Sequence, residues 1–275
     1  MKSSDRPLVE ARQISVTFGK GPYAFTAVDE ASLTIGESEI VGIVGETGSG
    51  KTTLARVVAG LQPATDGRLL FPRDPEGPAG QGRGARRRSH RTDIQMVFQD
   101  PYSSLDPRQT VWSSVSEAVK VRQGLSSADA RAAALRLLQS IGIGDALAGR
   151  LPDLLSGGQR QRISVARALA AEPALLIADE PTSALDQSAQ AQLLNLLRRI
   201  QQERQLAILF ISHDLGIIRY FTDRVYVMRH GRIVESGHTE EVFSNPQQAY
   251  TQLLINSIPG SRERTLVRPA GDPAG

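Results

Sequence analysis

A glycine-rich run, GETGSGKTT, occupies Gly45–Thr53, and its residue types suit the binding of a phosphate chain. Its three glycines let backbone N–H groups converge on phosphate oxygens, where a side chain would obstruct the approach. Lys51 can place its ammonium near the β- and γ-phosphates, and Thr52 offers a hydroxyl to Mg²⁺. The run therefore predicts a site for a nucleoside triphosphate.

The residues on either side of this run supply the context that such a loop requires. Glu39–Val44 is nearly continuously apolar, which is typical of a strand buried on both faces of a parallel sheet. Leu54, Val57, Val58 and Leu61 recur at helical spacing after the run. A strand, a glycine loop and a helix whose positive end faces the anion favour a P-loop over a chance glycine-rich turn.

A second apolar strand is predicted at Leu175–Glu180 (LLIADE), and it ends in two carboxylates. Carboxylates at the carboxyl end of a strand lie where α/β sheets bind ligands. Asp179 can hold Mg²⁺, directly or through water, and Glu180 is placed to polarise a water against the γ-phosphate. An acidic cap on the next helix is the alternative, and it explains one carboxylate better than two.

Ser156, Gly157, Gly158 and Gln159 carry both a structural and a functional interpretation. Ser156 and Gln159 form a capping box for a helix that runs through Ala168. Two glycines are unnecessary for a cap and costly inside a helix, so they indicate that backbone also approaches a second ligand. We expect the cap and an anion site to coexist here.

Taken together, these motifs resemble those of ABC transporter nucleotide-binding subunits, and the match covers nearly all of Val9–Pro259. Gly45–Thr53 resembles the Walker A loop, Ala174–Glu180 the Walker B strand, and Leu155–Gln159 (LSGGQ) the signature. Further matches are Gln99 to the Q-loop, Ser183–Asp186 (SALD) to the D-loop, His213 (ISHD) to the switch histidine, and Phe18 to the aromatic residue that stacks on adenine.

The resemblance implies ATP and Mg²⁺ as ligands and assigns a role to each matching residue. Two alternatives stay open for Phe18: Tyr23 or Phe25 could take its place at the adenine ring, or Phe18 could belong to the core. Catalysis is expected from Glu180, His213, Gln99 and Lys51, and Mg²⁺ binding from Thr52, Gln99 and Asp179. ATP binding is expected from Gly45, Glu46, Thr47, Gly48, Ser49, Gly50, Lys51, Thr52, Thr53, Phe18, Ser156, Gly157, Gly158, Gln159 and Asp186.

The alternation of strands and helices indicates an α/β fold. The resemblance implies a P-loop NTPase (RecA-like) core with an antiparallel β subdomain and an inserted α-helical subdomain. We expect one domain over 8–260, with the core at 8–100 and 160–240 and the helical part at 101–159. Residues 261–275 are polar and rich in proline and glycine, so we expect disorder there.

The pattern along the chain also predicts particular elements. Strands are expected at 8–18, 31–35, 94–98, 175–178, 206–211 and 225–228, the last turning back into 232–235 as a hairpin. Helical sequence is expected at 111–149, 188–202 and 214–221, a turn at 65–67, and a surface loop at 72–90.

Two segments, Val97–Pro107 (VFQDPYSSLDP) and Tyr250–Pro259 (YTQLLINSIP), resemble the oligopeptide, dipeptide and nickel importer ATPases. Several members of that branch carry cysteine-ligated clusters near the C-terminus. This chain has no cysteine, so that feature does not transfer. The resemblance implies an ATP-hydrolysing subunit that powers import of peptides, and it leaves nickel or another small solute as the alternative.

In the family, the signature of one subunit closes over ATP held by the P-loop of another. One copy of each motif therefore implies a second ATPase subunit, identical or homologous. No apolar run approaches the roughly 20 residues of a membrane-spanning helix, and the N-terminus lacks the apolar centre of a secretory signal. We expect the chain at the cytoplasmic face of the inner membrane, with two permease subunits and an extracytoplasmic solute-binding protein.

Other functions fit the sequence less well. ABC ATPases that act on DNA carry long coiled coils or zinc modules, and translation-factor relatives carry two cassettes in one chain. The residues between Lys51 and Ser156 show no sustained heptads and no cysteines, and the motifs of only one cassette are present. A metabolite kinase would leave LSGGQ and ISHD unexplained. No nucleic-acid partner is expected. A solvated loop explains the basic cluster better than a patch for nucleic acid or anionic membrane; its members are Arg83, Arg86, Arg87, Arg88 and Arg91.

Overall fold

The computed structural model describes residues 7–71, 94–100 and 105–258 of the 275-residue chain. The strands are β1 (Val9–Phe18), β2 (Phe25–Ile35), β3 (Ile40–Val44), β4 (Asp66–Leu70), β5 (Ile94–Val97), β6 (Leu175–Asp179), β7 (Ala207–Ile211), β8 (Arg224–Arg229) and β9 (Arg232–His238). The α-helices are α1 (Lys51–Val58), α2 (Val111–Gln123), α3 (Ser127–Ser140), α4 (Asp145–Ala148), α5 (Gly157–Leu169), α6 (Gln187–Arg204), α7 (Leu215–Phe221), α8 (Thr239–Ser244) and α9 (Ala249–Asn256).

A six-stranded sheet in the order β5-β6-β7-β3-β8-β9 forms the centre of the molecule. Its strands pair in parallel except β9, which pairs antiparallel with β8. Every residue of β3, β6 and β7 is buried, as their continuous apolar sequences predict. The α/β expectation is confirmed.

Successive residues of these strands enter opposite hydrophobic layers, because side chains alternate across a sheet. Ile40 and Val44 of β3 belong to the layer that contains the helices α2 to α7. Val41 and Ile43 belong to the other layer, which contains α1 and the antiparallel sheet. The central sheet is therefore covered on both faces. Only the ends of its strands remain open, and the loops that follow the strands lie there.

The smaller sheet is antiparallel, with the order β2-β1-β4. The expected strand at 31–35 was too short, because β2 begins at Phe25 and the connection is a single turn of 3₁₀-helix at Gly21–Tyr23. Irregularities in the β1–β2 register interrupt the alternation that a sequence search follows. Glu30, with φ of 49°, stands next to one of them.

The turn expected at 65–67 was also wrong, since Asp66 begins strand β4. Gly67 has φ of 92°, and a Cβ there would lie 2.3 Å from the carbonyl oxygen of Gln13. The glycine permits the close approach of β4 to β1 and does not end the strand. Leu61 was expected to continue the apolar face of the helix with Leu54, Val57 and Val58. It lies beyond the end of α1 and is 57% exposed.

The region predicted to be helical at 111–149 contains α2, α3 and α4. Helix α3 begins at an N-cap, Ser126, whose hydroxyl accepts a hydrogen bond from Asp129 N–H. The guanidinium of Arg131 on α3 lies 4.4 Å from the ring centroid of Trp112 on α2, which ties the two helices together. The expectations for 72–90 and 261–275 lie outside the described residues.

The remaining predicted elements are confirmed with small changes of boundary. Helix α6 begins one residue before 188 because Asp186 caps it, and α7 begins after its cap, Asp214. The hairpin of β8 and β9 forms as expected and extends to His238. Among the helices of the described ranges, none is both long and apolar enough to span a membrane.

Gly42 of β3 offers a test of how closely the sheet packs on α7. A methyl group there would lie 3.0 Å from Thr222 Cγ2 and 3.2 Å from Ile218 Cδ1. Gly42→Ala should therefore lower the free energy of unfolding by about 1–3 kcal/mol, measured by chemical denaturation. Gly149→Ala, whose nearest new contact is 3.8 Å away, is the control and should change it by less than about 0.5 kcal/mol. Equal stability of the two variants would contradict the packing.

Candidate functional site

The phosphate-binding run connects β3 to α1, and its glycines have different surroundings. A Cβ at Gly45 would lie 2.1 Å from the carbonyl oxygen of Met228, and one at Gly50 would lie 2.4 Å from that of Ala27. No atom lies within 4 Å of a Cβ built at Gly48, where φ is 81°. Gly45 and Gly50 thus let the loop fit between β8 and β2, and Gly48 is on its open side.

Lys51, the first residue of α1, is buried with 5% of its surface exposed. Its Nζ donates hydrogen bonds to the carbonyl oxygens of Gly45 and Glu46, each at 2.8 Å. Burial lowers the pKa of Lys51, against the opposing attraction of Glu180, Asp179 and Glu46. An anion at the loop would therefore meet a desolvated ammonium, where charge attraction is strong.

Thr52 and Asp179 meet at the base of the loop. The Thr52 hydroxyl donates to Asp179 Oδ1 at 3.1 Å, and Asp179 is 4% exposed. Burial raises the pKa of Asp179, while the bond from Thr52 and the charges of Arg56 and Lys51 act in the opposite direction. Arg56 was not among the predicted site residues, because nothing in its sequence context indicates this charge effect.

The oxygen atoms of Thr52 and Asp179 fit a magnesium ion. Mg²⁺ prefers oxygen ligands and is usually held by one or two protein groups together with phosphates and waters. Within the described ranges, no group of three or more His, Cys, Asp or Glu could hold a metal by itself. Two adjacent oxygens beside a phosphate loop match this mode of binding.

Glu180 follows β6, and its carboxylate contacts two side chains from distant parts of the chain, Gln99 and His213. Gln99 Nε2 donates to Glu180 Oε2 at 3.2 Å, and His213 Nδ1 lies 3.1 Å from the same oxygen. The backbone of Glu180 is left-handed, with φ of 47°, and its N–H donates to Ile211 O at 2.9 Å. The side chain is 16% exposed, so Glu180 is fixed in place and still accessible from one side. The structure places Gln99 on this carboxylate, and the predicted metal role of Gln99 stays a prediction.

The Ser156–Gln159 segment forms the capping box that its sequence predicts. Gln159 N–H donates to the Ser156 hydroxyl at 3.3 Å, and Ser156 N–H donates to Gln159 Oε1 at 3.0 Å. A Cβ at Gly158 would lie 3.2 Å from Ala189 Cβ, so this glycine also lets α5 pack near the start of α6. Packing is thus one reason for a glycine at 158, and the predicted contact of Gly157 and Gly158 with a second ligand is not tested.

Asp186, which was predicted to bind nucleotide, caps α6 by accepting a hydrogen bond from Ala189 N–H at 2.8 Å. Phe18, Tyr23 and Phe25 lie at one end of the antiparallel sheet, where they are 43%, 91% and 62% exposed. Phe18 and Phe25 are partners across the β1–β2 ladder. Any of the three rings can offer a face to an adenine, and Phe18 stays a prediction.

Two contacts of the loop were missed at the sequence level, and both come from the last third of the chain. The Tyr250 hydroxyl accepts a hydrogen bond from Glu46 N–H at 3.2 Å. Gly231 N–H donates to Ser49 O at 3.0 Å. The buried Ser49 hydroxyl has no hydrogen-bond partner among the described residues. The resemblance of Tyr250–Pro259 to importer ATPases drew attention to this region, without indicating what it contacts.

Residues 28–183 match the protein family described as ABC transporter. The chain belongs to the ABC transporter family. A second match, over residues 234–274, is to the family described as oligopeptide/dipeptide transporter, C-terminal region. Membership makes the chain an ABC ATPase, so the loop, the buried lysine and the carboxylate pair belong to an ATP-hydrolysing enzyme.

Two curated relatives of this ABC ATPase cover most of its length. The protein named dipeptide transport ATP-binding protein DppF, from Lactococcus lactis subsp. cremoris (strain MG1363), is 43% identical over 95% of this chain and 86% of its own. The protein named oligopeptide transport ATP-binding protein OppF, from Bacillus subtilis (strain 168), is 40% identical over 97% of this chain and 88% of its own.

Solved structures of other cassettes share the fold. The ATP-binding cassette MJ0796, in a dimeric post-hydrolysis state bound to ADP and Pi, has a TM-score of 0.75 at 29% identity, covering 84% of this chain and 98% of that one. The protein cbiO1 from Clostridium perfringens, described as part of the ABC transporter complex cbiONQ, has a TM-score of 0.76 at 29% identity, with 88% and 92% covered. These likenesses confirm the predicted fold class.

The raised pKa of Asp179 predicts that its charge costs stability in the nucleotide-free protein. Because the folded-state pKa lies above the unfolded value, this cost is present above the folded pKa and disappears as the pH falls to the unfolded one. Asp179→Asn keeps the acceptor for Thr52 and should raise the Tm at neutral pH by about 2–4 °C, the shift expected for 1 kcal/mol. Thermal unfolding without nucleotide is the measurement.

A control for Asp179→Asn is Asp223→Asn. The side chain of Asp223 is 50% exposed, accepts from Ile40 N–H at 2.8 Å and pairs with Arg198 at 3.7 Å. Removal of its charge relieves no burial and should leave the Tm unchanged or lower. A fall in the Tm of Asp179→Asn as well would show that Lys51 and Arg56 more than offset the burial of Asp179.

Proposed function

We propose that this ABC ATPase is the ATP-hydrolysing subunit of a membrane importer of peptides. The observation that carries the solute class is the match of residues 234–274 to the C-terminal region of oligopeptide/dipeptide transporters. The names of the curated relatives support it, since they describe oligopeptide and dipeptide transport. The chain would lie at the cytoplasmic face of the membrane with two permease subunits and a solute-binding protein, and without a nucleic-acid partner.

The proposed hydrolytic step follows from the geometry around Glu180. A water that lies between the γ-phosphate and Glu180 would be oriented by the carboxylate, which can take up its proton during attack. Gln99 and His213 hold the carboxylate oxygen that they share, so the base is positioned before the substrate arrives. His213 is 58% exposed. Its ring would contact the γ-phosphate in the nucleotide-bound protein.

Lys51 and the backbone N–H groups of Gly45–Thr53 would bind the β- and γ-phosphates. Thr52 and Asp179 would hold Mg²⁺. The ion supplies neutralisation of the charge that develops on the phosphate oxygens. Phe18 would stack on the adenine.

The second half of the site would come from another ATPase subunit. Ser156 to Gln159 begin helix α5 and bond to one another, and the N-terminal end of a helix favours an anion. In the proposed dimer this end faces nucleotide bound to the partner, and Asp186 lies at the same junction. The dimeric state described for the cassette MJ0796 supports such a pairing.

The proposed domain organisation keeps 8–260 as one domain, with a core at 8–100 and 160–240. The helices α2, α3 and α4 stand between β5 and α5 in the chain and share a hydrophobic core. They would form the inserted helical subdomain at 101–159, which docks on the permease. Gln99 precedes this insertion and also contacts Glu180, so it could link closure of the helical part to the γ-phosphate.

Glu180→Gln tests the base. The variant keeps the shape of the side chain and the metal ligand Asp179, so it should bind Mg-ATP with wild-type affinity. Its kcat for ATP hydrolysis should fall by about a hundredfold or more, because the group that accepts the proton is lost. The closed dimer should then accumulate with Mg-ATP, detectable by light scattering. Turnover close to that of the wild type would remove Glu180 from this role.

The same variant tests the solute class in cells that lack the gene for this chain. Uptake of a radiolabelled tripeptide should be absent, should return with the wild-type chain, and should stay absent with Glu180→Gln. Uptake of radioactive nickel, measured in parallel, should be the same in all three strains. Loss of nickel uptake with normal peptide uptake would replace the proposed solute.

Lys51→Ala and Ser156→Arg test the composite site, provided that the chain forms homodimers. Lys51→Ala should lose ATP binding, whereas Ser156→Arg should bind ATP and fail to hydrolyse it. Each variant alone should be inactive in the assembled transporter. A mixed dimer places both defects in one site and leaves the other intact, so partial ATPase activity should return. Full activity of Ser156→Arg alone would reject the role of the signature.

A further inference from the structure

Tyr250, on helix α9, contacts the backbone of the Gly45–Thr53 loop. The side chain is buried, with 6% of its surface exposed, and its hydroxyl accepts the hydrogen bond from Glu46 N–H. Glu46 is the second residue of the Gly45–Thr53 run, so the contact lies at the point where the chain leaves strand β3. The hydrogen bond is part-buried. An N–H that loses its acceptor away from bulk water carries a desolvation penalty, so this position is sensitive to loss of the hydroxyl.

The backbone of Glu46 is held on its carbonyl side as well. Its oxygen accepts from Lys51 Nζ at 2.8 Å and from Ser49 N–H at 3.1 Å. The Tyr250 hydroxyl therefore bonds to the same residue whose carbonyl positions the Lys51 ammonium. Any shift of Glu46 would be passed to the cation that is proposed to meet the phosphates.

Tyr250 is itself fixed by the β8–β9 hairpin. The guanidinium of Arg229, the last residue of β8, lies 4.7 Å from the centroid of the Tyr250 ring. Glu235 of β9 accepts hydrogen bonds from Gln247 N–H at 2.7 Å and Gln248 N–H at 3.1 Å, at the start of α9. A carboxylate at a helix N-terminus is stabilising, so Glu235 anchors the helix that carries Tyr250.

We propose that Tyr250 is a positioning residue for nucleotide binding, which acts by holding Glu46 and, through it, Lys51. The inference rests on the proposed nucleotide site at Gly45–Thr53. It gives the C-terminal segment that matches peptide transporters a role inside the ATPase site, in addition to any contact with a partner. The role concerns affinity for the phosphates and leaves the hydrolytic groups around Glu180 unchanged.

Tyr250→Phe removes the hydroxyl and keeps the ring beside Arg229. The KM for Mg-ATP should rise about three- to tenfold, the range that loss of one hydrogen bond supplies, while kcat at saturating ATP stays within about twofold. Calorimetric titration of Mg-ATP into the purified full chain should show the same weakening. If Tyr250 had a purely structural role, Tyr250→Phe would lower the Tm and leave the KM for Mg-ATP at its wild-type value. That outcome would contradict the proposal.

Tyr226→Phe is the matched control. Tyr226 is 5% exposed, and its hydroxyl accepts from Thr34 N–H at 3.0 Å, away from the phosphate loop. The same hydroxyl also lies 3.3 Å from Thr34 Oγ1 and donates to Thr34 O at 3.3 Å. The control variant should therefore lose at least as much stability as Tyr250→Phe and keep a wild-type KM. An equal rise of KM in Tyr226→Phe would mean that general destabilisation causes the effect, and it would overturn the proposal.

Glu235→Ala tests the same contact without altering Tyr250. It removes the carboxylate that accepts hydrogen bonds at the start of α9, and so loosens the helix that carries Tyr250. Its KM should rise in the same direction with kcat preserved. Lys51→Ala, measured in the same titration, tests the nucleotide site independently of the positioning role of Tyr250. Wild-type affinity in Lys51→Ala would overturn the nucleotide site and this inference together. Lost binding in Lys51→Ala, with a wild-type KM in both Tyr250→Phe and Glu235→Ala, would overturn the positioning role alone.

Discussion

The parallel register on the two sides of strand β7 is the constraint on which the site depends. Ile211 of β7 pairs with Ile43 of β3 on one side and with Asp179 of β6 on the other. The phosphate loop and the carboxylate pair consequently leave the sheet at the same level and at the same edge. All three strands are buried on both faces, and a slip by one residue would exchange the side chains of the two hydrophobic layers. The alignment of the site is thus set by the packing of the core.

Electrostatics complete what the register arranges. Lys51 and Asp179 are both almost fully buried. Burial lowers the pKa of Lys51 and raises the pKa of Asp179, so in each residue it favours the neutral form. Their mutual attraction offsets only part of this desolvation. In the proposed function, a triphosphate and a divalent cation would supply the missing opposite charges. The nucleotide-free protein would then keep an electrostatically unfavourable site that binding of its substrate relieves.

The central sheet and the phosphate loop could be predicted from sequence because their signals are local. Glu39–Val44 and Leu175–Glu180 are short apolar runs, and the loop sequence fits few other structures. Strands β2 and β4 were predicted poorly, since register irregularities hide the alternation of β2 and Gly67 resembles a turn residue. For β4 the deciding contact, with Gln13, is distant in sequence.

The family resemblance named Gln99, His213 and Glu180 as catalytic residues, but their contact was found only in the structure. No pattern in one chain gives the distance between residues so far apart. Tyr250 illustrates the same limit. It begins a segment that resembles importer ATPases, but the resemblance gives no contact for it, and only the fold brings its hydroxyl to Glu46. Phe18 illustrates a further limit, since three exposed aromatic residues share one region and the ligand alone selects among them.

The wedged position of the phosphate loop has a consequence for synthesis on the ribosome. The loop is made early, whereas its contacts come from residues that are translated much later: the carbonyl of Met228, the N–H of Gly231 and the hydroxyl of Tyr250. A nascent chain that stops before these residues has the whole Gly45–Thr53 sequence without the contacts that support it. In the proposed function, tight capture of ATP would therefore begin only after these later segments have been made, and shorter products would not compete for the nucleotide.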